Sequence, residues 1–241
     1  MRILITNDDG IHASGLLPLV RWCQKLGEVT VVAPLVEQSG KSHGIELHTP
    51  FMVKKLDLAP DITAYAVDST PADCVRFAIL GLKLEFDLVV SGINRGFNMG
   101  TDIMYSGTVG AACEANLLGV PAIALSTSPE YYDHAVTHLD YVLEYMHQHE
   151  LMKLHPIYNI NIPPQPQGVW ITCQGGPYYS DDFLWAEDGS CMPQGKCVYR
   201  DAGDLRLDTD CIHRGFVSIT PLTISKTHTD MFRQLEKLNE Q

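Results

Sequence analysis

The sequence lacks long apolar runs and has few basic residues. No apolar run in the 241 residues approaches the ~20 residues that a membrane-spanning helix requires, so we expect no membrane partner. Lys and Arg number 17 against 29 Asp and Glu, which gives a formal net charge of −12. A protein that binds the backbone of a long nucleic acid needs a basic surface, so we expect no such partner.

The seven cysteines lack the spacing of a metal site or a disulfide framework. Their number is odd, no C-x-x-C pair occurs, and they are scattered at positions 23, 74, 113, 173, 191, 197 and 211. This pattern predicts reduced, structural thiols. No signal peptide precedes the first apolar segment, so we predict a cytoplasmic protein.

Two common nucleotide-binding motifs are also missing. Neither G-x-x-x-x-G-K-[ST] nor G-x-G-x-x-G occurs, which excludes ordinary P-loop and dinucleotide-binding proteins. What the sequence does have is an alternation of helical patterns with short apolar runs, at 3–5, 29–33, 88–90 and 121–126. Such runs are typical of strands buried on both faces of a parallel sheet. We therefore predict an α/β fold with a doubly wound, Rossmann-like, mostly parallel sheet.

Helix and edge-strand signals complete this pattern. Thr70 and Pro71 suit the N-cap and first position of a helix, and a second helix is predicted over Ser106 to Leu118. The segments 52–56 and 62–67 are mixed in polarity, which favours an edge strand or a hairpin.

The chain is expected to have two parts. Residues 1–126 are predicted to form the α/β core, and residues 127–241 to complete it with later strands and a terminal amphipathic helix. The stretch from about 174 to 215 has few apolar runs and many acids, so it is either a flexible excursion or an arm on a partner chain. Aromatic residues such as Trp185 would leave an uncovered patch there, and such patches mark partner contacts. We therefore predict a homodimer or homotetramer with this arm at the interface.

Two adjacent acids follow the first predicted strand, in the sequence RILITNDDG. Ligands of open α/β sheets bind at the carboxyl ends of the strands, where Asp8 and Asp9 would lie. Two carboxylates this close repel each other and raise one pKa unless a cation lies between them. Ser39 follows the second strand and Asn94 follows a later one, so their oxygens are expected at the same edge.

These oxygens suit a hard divalent ion such as Mg²⁺, Mn²⁺ or Ca²⁺. We predict one ion per subunit, Mg²⁺ or Mn²⁺. The alternative is a solvated acidic turn that holds no metal.

A phosphate site is predicted beside the acids. Ser106, Gly107 and Thr108 open a helix with small side chains, and the free N–H groups of helix N-termini bind phosphate. The alternative is an ordinary Ser N-cap followed by small residues for close packing. Arg95 is the candidate cation for neutralising phosphate. Weaker candidates for phosphate or acid–base contacts are His12, His43 and Lys41.

Seven segments are distinctive in sequence and order. They are ITNDDG at 5–10, EQSG at 37–40, STPADCV at 69–75, SGINRGFNMGTD at 91–102, YSGTVGAA at 105–112, NINIP at 159–163 and VSITPL at 217–222. Together they resemble the survival protein E (SurE) family of nucleotidases over nearly the whole chain. The chain differs at Leu35 and Val36, where the family usually has an acid–Arg pair, and at Ser69, where glycine is more frequent.

The resemblance implies a metal-dependent phosphohydrolase that acts on nucleoside 5′- and 3′-monophosphates, and in some members on polyphosphate. It implies that residues 1–126 bind nucleotide and metal, with Asp8, Asp9, Ser39 and Asn94 as the metal ligands. Asp8, Asp9 and Asn94 would be catalytic, and the Ser-Gly-Thr turn would hold phosphate. The implied partners are a small nucleotide and further copies of the chain.

Alternatives remain for both mechanism and function. In metal-assisted hydrolysis an activated water attacks phosphorus in line, whereas in a covalent route Asp8 or Asp9 is the nucleophile. A Mg²⁺-binding phosphoacceptor signalling module also has acids after its first strand, but it turns over poorly. Such a module would need an isolated acceptor Asp after a later strand, where this chain has Ser91-Gly92-Ile93-Asn94.

Overall fold

The fold is built on one large mixed sheet. The computed structural model of the chain describes residues 1–59 and 61–240, without the side chains of Asp133 and Glu240. Within these residues, nine strands form a sheet in the order β3-β4-β2-β1-β5-β6-β7-β11-β8, and β9 and β10 form a separate hairpin. The strands are β1 (Arg2–Thr6), β2 (Glu28–Pro34), β3 (Val53–Ala59), β4 (Ile62–Val67), β5 (Leu88–Arg95), β6 (Ala122–Thr127), β7 (Ile157–Ile162), β8 (Val169–Ile171), β9 (Tyr179–Trp185), β10 (Cys191–Cys197) and β11 (Val217–Pro221).

Helices cover both faces of this sheet. The α-helices are α1 (Leu16–Cys23), α2 (Pro71–Arg76), α3 (Gly107–Leu117), α4 (Leu139–Gln148), α5 (Leu151–Leu154), α6 (Asp208–His213) and α7 (Thr229–Leu235). A π-helix continues α2, and 3-10 helices span Gly100–Tyr105, Pro129–His138 and Glu236–Glu240. Alternate residues of β1 point to opposite faces, so Ile3 and Ile5 pack with α1 and α4 while Leu4 packs with α2 and α3.

The centre of the sheet is parallel, which confirms the predicted doubly wound architecture. The strands β4, β2, β1, β5, β6 and β7 all run in one direction. The chain first builds outward from β1 through β2 to β4 and then starts again on the other side of β1 with β5. Polar residues at the carboxyl ends of β1 and β5 therefore lie at the switch point, where open α/β sheets bind ligands.

The edge strands and caps also follow their sequence signals. β3 pairs antiparallel with β4 as a hairpin at the edge of the sheet. The Thr70 hydroxyl accepts a hydrogen bond from the N–H of Asp73 and caps α2. Ser106 caps α3 in the same way through the N–H of Val109.

The stretch 174–215, expected to be a flexible excursion or an arm, contains an exposed hairpin and a buried helix. Every residue of β9 and β10 is exposed, so the hairpin projects from the body. The helix α6 lies within the same stretch but is buried in the body, and the expectation that this stretch adds little core was wrong for it. The carboxylate of Asp210 accepts hydrogen bonds from the Tyr199 hydroxyl and from the N–H groups of Ala202 and Asp204, so its burial is compensated.

The C-terminal helix α7 lies exposed on the surface. No residue of α7 is buried, and its exposed apolar side chains include Met231, Phe232 and Leu235. Over residues 1–59 and 61–240, no helix combines the length and the apolar character needed to cross a membrane.

Candidate active site

A cleft of about 800 Å³ opens at the carboxyl edge of the sheet, beside the ends of β1 and β5. Its walls come from the loops after β1, β2, β5 and β6 and from the start of α3. The residues that line it are Asp8, Asp9, Ala13, Ser14, Glu37, Ser39, Gly40, Asn94, Arg95, Asn98, Asp102, Tyr105, Ser106, Pro129 and Tyr132.

Asp8 lies at the bottom of the cleft, where β1 ends. Asn7 closes the turn behind it, because its side chain accepts from the N–H of Gly10 and donates to the Gly10 carbonyl, both at 3.0 Å. The Asp8 side chain is only 5% exposed, and it accepts a hydrogen bond from the Thr108 hydroxyl. The pKa of Asp8 is raised to about 6, chiefly by burial; the hydrogen bond from Thr108 opposes this shift, and the charge of Asp9 adds to it.

Asp9 is half-buried and is held from two other elements. Its Oδ2 accepts from the N–H of Arg95 at 3.1 Å and from the Tyr132 hydroxyl at 3.3 Å. Burial raises the pKa of Asp9, and the carboxylate of Glu37 acts in the same direction, while these hydrogen bonds oppose the shift. Asp8 and Asp9 therefore form a pair of carboxylates whose ionisation is disfavoured without a nearby cation.

The loops after β2 and β5 bring two further oxygen donors to the cleft. The N–H of Gln38 donates to the Asp8 carbonyl at 2.7 Å, which holds the Ser39 loop against the acids. The Ser39 hydroxyl donates to Glu37 at 2.6 Å. The amide nitrogen of Asn94 donates to the carbonyl of Gly96 at 2.8 Å, which orients this side chain.

This set of donors fits a hard divalent ion. Carboxylate, amide and hydroxyl oxygens are the ligands that Mg²⁺ and Mn²⁺ prefer. In the described part of the chain, no group of three or more His, Cys, Asp and Glu side chains is arranged around a common point. A metal ion here would therefore depend on the neutral oxygens of Ser39 and Asn94 as well as on Asp8 and Asp9.

The N-terminus of α3 packs directly on Asp8. A Cβ atom added to Gly107 would lie 3.0 Å from the Asp8 Cβ, so glycine allows this close approach. Ser106 and Arg95 line the cleft. Thr108 is fully buried, and its hydroxyl contacts the Asp8 carboxylate rather than open space.

The three weaker candidates do not line the cleft. His12 is exposed, and Lys41 lines a separate pocket. His43 forms an ion pair with Glu114 at 2.7 Å, and Arg76 contacts the same carboxylate at 2.9 Å. Burial raises the pKa of Glu114, but the hydrogen bonds from His43 and Arg76 outweigh it, so the pKa is lowered overall.

Comparison with known proteins identifies the family. The family model for survival protein SurE matches residues 3–181. The chain belongs to the SurE family. Its relatives include proteins named 5′-nucleotidase SurE from Thermosipho melanesiensis, 38% identical over 100% of this chain and 98% of the relative, and from Syntrophotalea carbinolica, 41% identical over 99% and 96%.

The fold agrees with a solved member of the SurE family. The crystal structure of the SurE protein from Aquifex aeolicus superposes with a TM-score of 0.80 at 29% identity, and the match covers 99% of this chain and 100% of that one. The family resemblance in the motifs of the sequence is thereby confirmed.

Sequence reasoning missed several residues that this SurE protein brings to its cleft. Tyr132 follows β6, and the same strand-end argument that found Asp8 would have found it if it had been applied to that strand. Asn98 lies in a loop that was recognised but not resolved into individual residues. Glu37 and Asp102 were hidden among many acids, and only the structure separates them from the solvated ones.

Proposed function

We propose that this SurE family member is a metal-dependent phosphohydrolase that releases phosphate from nucleoside 5′- and 3′-monophosphates, and from short polyphosphate. The names of its relatives support 5′-nucleotidase activity. The observation that carries the proposal is the pair Asp8 and Asp9, held at the switch point of the sheet beside the N-terminus of α3. An acidic protein that binds a phosphate ester needs local positive charge at this place.

We propose one Mg²⁺ or Mn²⁺ ion per subunit, held by Asp8, Asp9, Ser39 and Asn94. When bound, such an ion supplies polarisation of a phosphoryl oxygen and activation of water. The environment of Asp8 supports this assignment. Its pKa is raised to about 6, chiefly by burial, and a neighbouring cation would strongly stabilise the ionised form of such a carboxylate.

The remaining cleft residues would bind and orient the phosphate. Among the described residues that line the cleft, Arg95 is the one with a cationic side chain, so it would balance charge on the phosphoryl oxygens. The N-terminal residues of α3, Ser106 to Thr108, would hold the equatorial oxygens. Thr108 would act through Asp8, whose carboxylate its hydroxyl contacts. We propose direct attack by water in line with the leaving oxygen.

A covalent route through Asp8 or Asp9 predicts a different stereochemical outcome at phosphorus. When a thiophosphate ester made chiral with oxygen isotopes is hydrolysed in isotopically labelled water, one direct in-line attack inverts the configuration at phosphorus. Retention of configuration, from two successive displacements, would establish the aspartyl-phosphate route instead.

Phosphate release from AMP under multiple turnover tests the function. With enzyme at a hundredth of the substrate concentration, we expect full release of phosphate, loss of the rate in EDTA, and recovery with Mn²⁺ or Mg²⁺. Unchanged turnover in EDTA would refute the metal dependence. A phosphoacceptor signalling module would release at most one equivalent per subunit, so stoichiometric labelling without turnover would support that function.

We further propose a cytoplasmic homodimer or homotetramer in which the hairpin β9–β10 contacts another copy. Trp185 is 77% exposed and Phe183 57% exposed on this hairpin, and exposed aromatic patches mark partner contacts. All seven cysteines are free, which suits a reducing compartment.

A further inference from the structure

The strand β7 carries two buried amide side chains that do not reach the cleft. Asn159 and Asn161 are alternate residues of this strand, so they point to the same face of the sheet. Both are fully buried. A buried amide is costly unless it is hydrogen-bonded, so its partners indicate its role.

Both amides bind the backbone of Asn98, in the loop that follows β5. The Oδ1 of Asn161 accepts from the N–H of Asn98 at 2.9 Å, and its Nδ2 donates to the carbonyl of Asn98 at 2.8 Å. The Nδ2 of Asn159 donates to the same carbonyl at 2.7 Å. The Asn98 side chain donates to the Ser126 hydroxyl at 2.8 Å.

These contacts anchor a short loop that carries site residues. Asn98 itself lines the cleft, and it follows Asn94 and Arg95 by only four and three residues. Gly96 is tied to the carbonyl of Thr127 at 2.8 Å. The Asn161 side chain binds both the N–H and the carbonyl of Asn98. It thereby fixes the loop at a residue that lies outside the strands of the sheet.

We propose that Asn161, assisted by Asn159, is a positioning residue that fixes the loop after β5 and thereby the end of this strand, where Asn94 and Arg95 face the cleft. The consequence for catalysis rests on the proposed function, whereas the consequence for the loop does not.

The two partners of Asn161 explain why an amide is required at this position. An Asp would keep the acceptor for the N–H of Asn98 but would place a carboxylate oxygen against its carbonyl. A Leu of similar shape would supply neither bond, so the N–H of Asn98 would lose its bond to Asn161 and the carbonyl would keep only its bond from Asn159. Asn159 makes a weaker case, because its Oδ1 has no hydrogen-bond partner in the described part of the chain.

The test compares Asn161→Leu and Asn161→Asp with the control Thr220→Val. Thr220 lies opposite Asn159 on β11, is 3% exposed, and forms a hydrogen bond with the Thr172 hydroxyl at 2.7 Å. Thr220→Val therefore also removes a buried hydrogen bond from the sheet but leaves the loop untouched.

Amide hydrogen exchange and Mn²⁺ binding report on the loop directly. In both Asn161 variants we expect exchange in residues 96–104 to accelerate about tenfold or more, and no change in this segment for Thr220→Val. We expect Mn²⁺ affinity, measured by calorimetry, to weaken severalfold in the Asn161 variants alone, because the Asn94 side chain is oriented by its hydrogen bond to Gly96 of this loop. Unchanged exchange in the Asn161 variants, or equal acceleration in the control, would overturn the proposal.

The kinetic effect should separate positioning from general destabilisation. We expect kcat/KM for AMP to fall about 10- to 100-fold in Asn161→Leu, the scale of a misplaced reacting group, and to change less than about twofold in Thr220→Val. If the parent does not hydrolyse AMP, the proposed function fails, and exchange and Mn²⁺ binding still decide the positioning role. If neither Asn161 variant folds, hydrogen exchange in the parent protein provides the test. Slow exchange of the Asn98 amide supports the proposal, and exchange as fast as in an open loop refutes it.

Discussion

In most proteins polar side chains are exposed and apolar side chains are buried. The cleft edge of the sheet breaks the first part of this rule, and the projecting hairpin breaks the second. At the cleft, Asp8 and Thr108 are polar and almost completely buried. On the hairpin, Phe183 and Trp185 are aromatic and mostly exposed. Buried polar groups must be paired within the chain, whereas exposed apolar groups gain most from a partner outside it. This contrast supports the proposals that a small polar ligand completes the cleft and that another copy of the chain covers the hairpin.

The largest effect should come from removing one charge at the cleft. We expect Asp8→Asn and Asp9→Asn each to lower the rate of phosphate release from AMP at least about 100-fold, or about 3 kcal/mol, the scale of one lost transition-state contact. Both metal-free variants should be at least as stable as the parent, because a repulsion has been removed. Steady-state kinetics with Mn²⁺ measures the rate, and urea unfolding measures the stability.

Divalent ions provide the control for this prediction. Mn²⁺ should raise the melting temperature of the parent and raise it less in either variant. Full activity in an Asp9→Asn protein that unfolds easily would mean that the pair is a structural turn and that the metal lies elsewhere.

The second effect concerns the pH dependence of stability without metal. The pKa of Asp8 is raised from 3.8 to about 6 in the folded chain, so folding favours its protonated form. The resulting contribution of Asp8 to the free energy of unfolding is fully present below pH 4 and is lost as the pH rises through 6. Above pH 7, Asp8→Asn should therefore be more stable than the parent by up to about 3 kcal/mol in EDTA.

Urea unfolding at pH 4.5, 6 and 8 checks this difference. The difference in stability should be largest at pH 8 and smallest at pH 4.5, where Asp8 is neutral in the folded parent although still mostly ionised in the unfolded chain. A difference in stability that stays constant from pH 4.5 to pH 8 would show that burial does not suppress the ionisation of Asp8.

The contrast between the cleft and the hairpin also explains how much of each could be predicted from the sequence. Asp8, Asp9 and Asn94 were found because strand ends converge at a switch point, which is a property of topology alone. Tyr132 was missed because the strand-end argument was not applied to β6, and it lies in the 3-10 helix that follows this strand. The bond from Thr108 to Asp8 depends on how closely α3 approaches the sheet, and no local pattern encodes that distance.

The hairpin was recognised as unusual but not as a hairpin. Its strands have exposed residues on both faces, so the alternation that normally reveals a strand is absent. The buried helix α6 was missed for the opposite reason, because its acids Asp208 and Asp210 resemble solvated residues until their backbone partners are known.

The third effect is the loss of the hydroxyl that donates to Asp8. Thr108→Val should destabilise the metal-free protein at pH 8 by about 1–2 kcal/mol, since it removes a hydrogen bond to a buried carboxylate. Thr108→Ser should retain most of the stability, because it keeps the donor. Urea unfolding of the three proteins measures this, and a loss for Ser with none for Val would assign the effect to packing of the methyl group instead.

The smallest effect on the subunit should come from the hairpin. Phe183→Ser combined with Trp185→Ser alters two side chains on one face of β9, which are 57% and 77% exposed and contribute little to the core. We expect the free energy of unfolding at low protein concentration to change by less than about 0.5 kcal/mol.

If this face joins copies of the chain, the parent should melt at a temperature that rises with protein concentration, and the variant should not. Light scattering should then report a smaller assembly for the variant. Leu154→Ser is the matched control, because Leu154 is 75% exposed but lies on α5, away from the hairpin. An assembly of unchanged mass in the double variant would show that exposed aromatic surface on β9 does not hold the copies together.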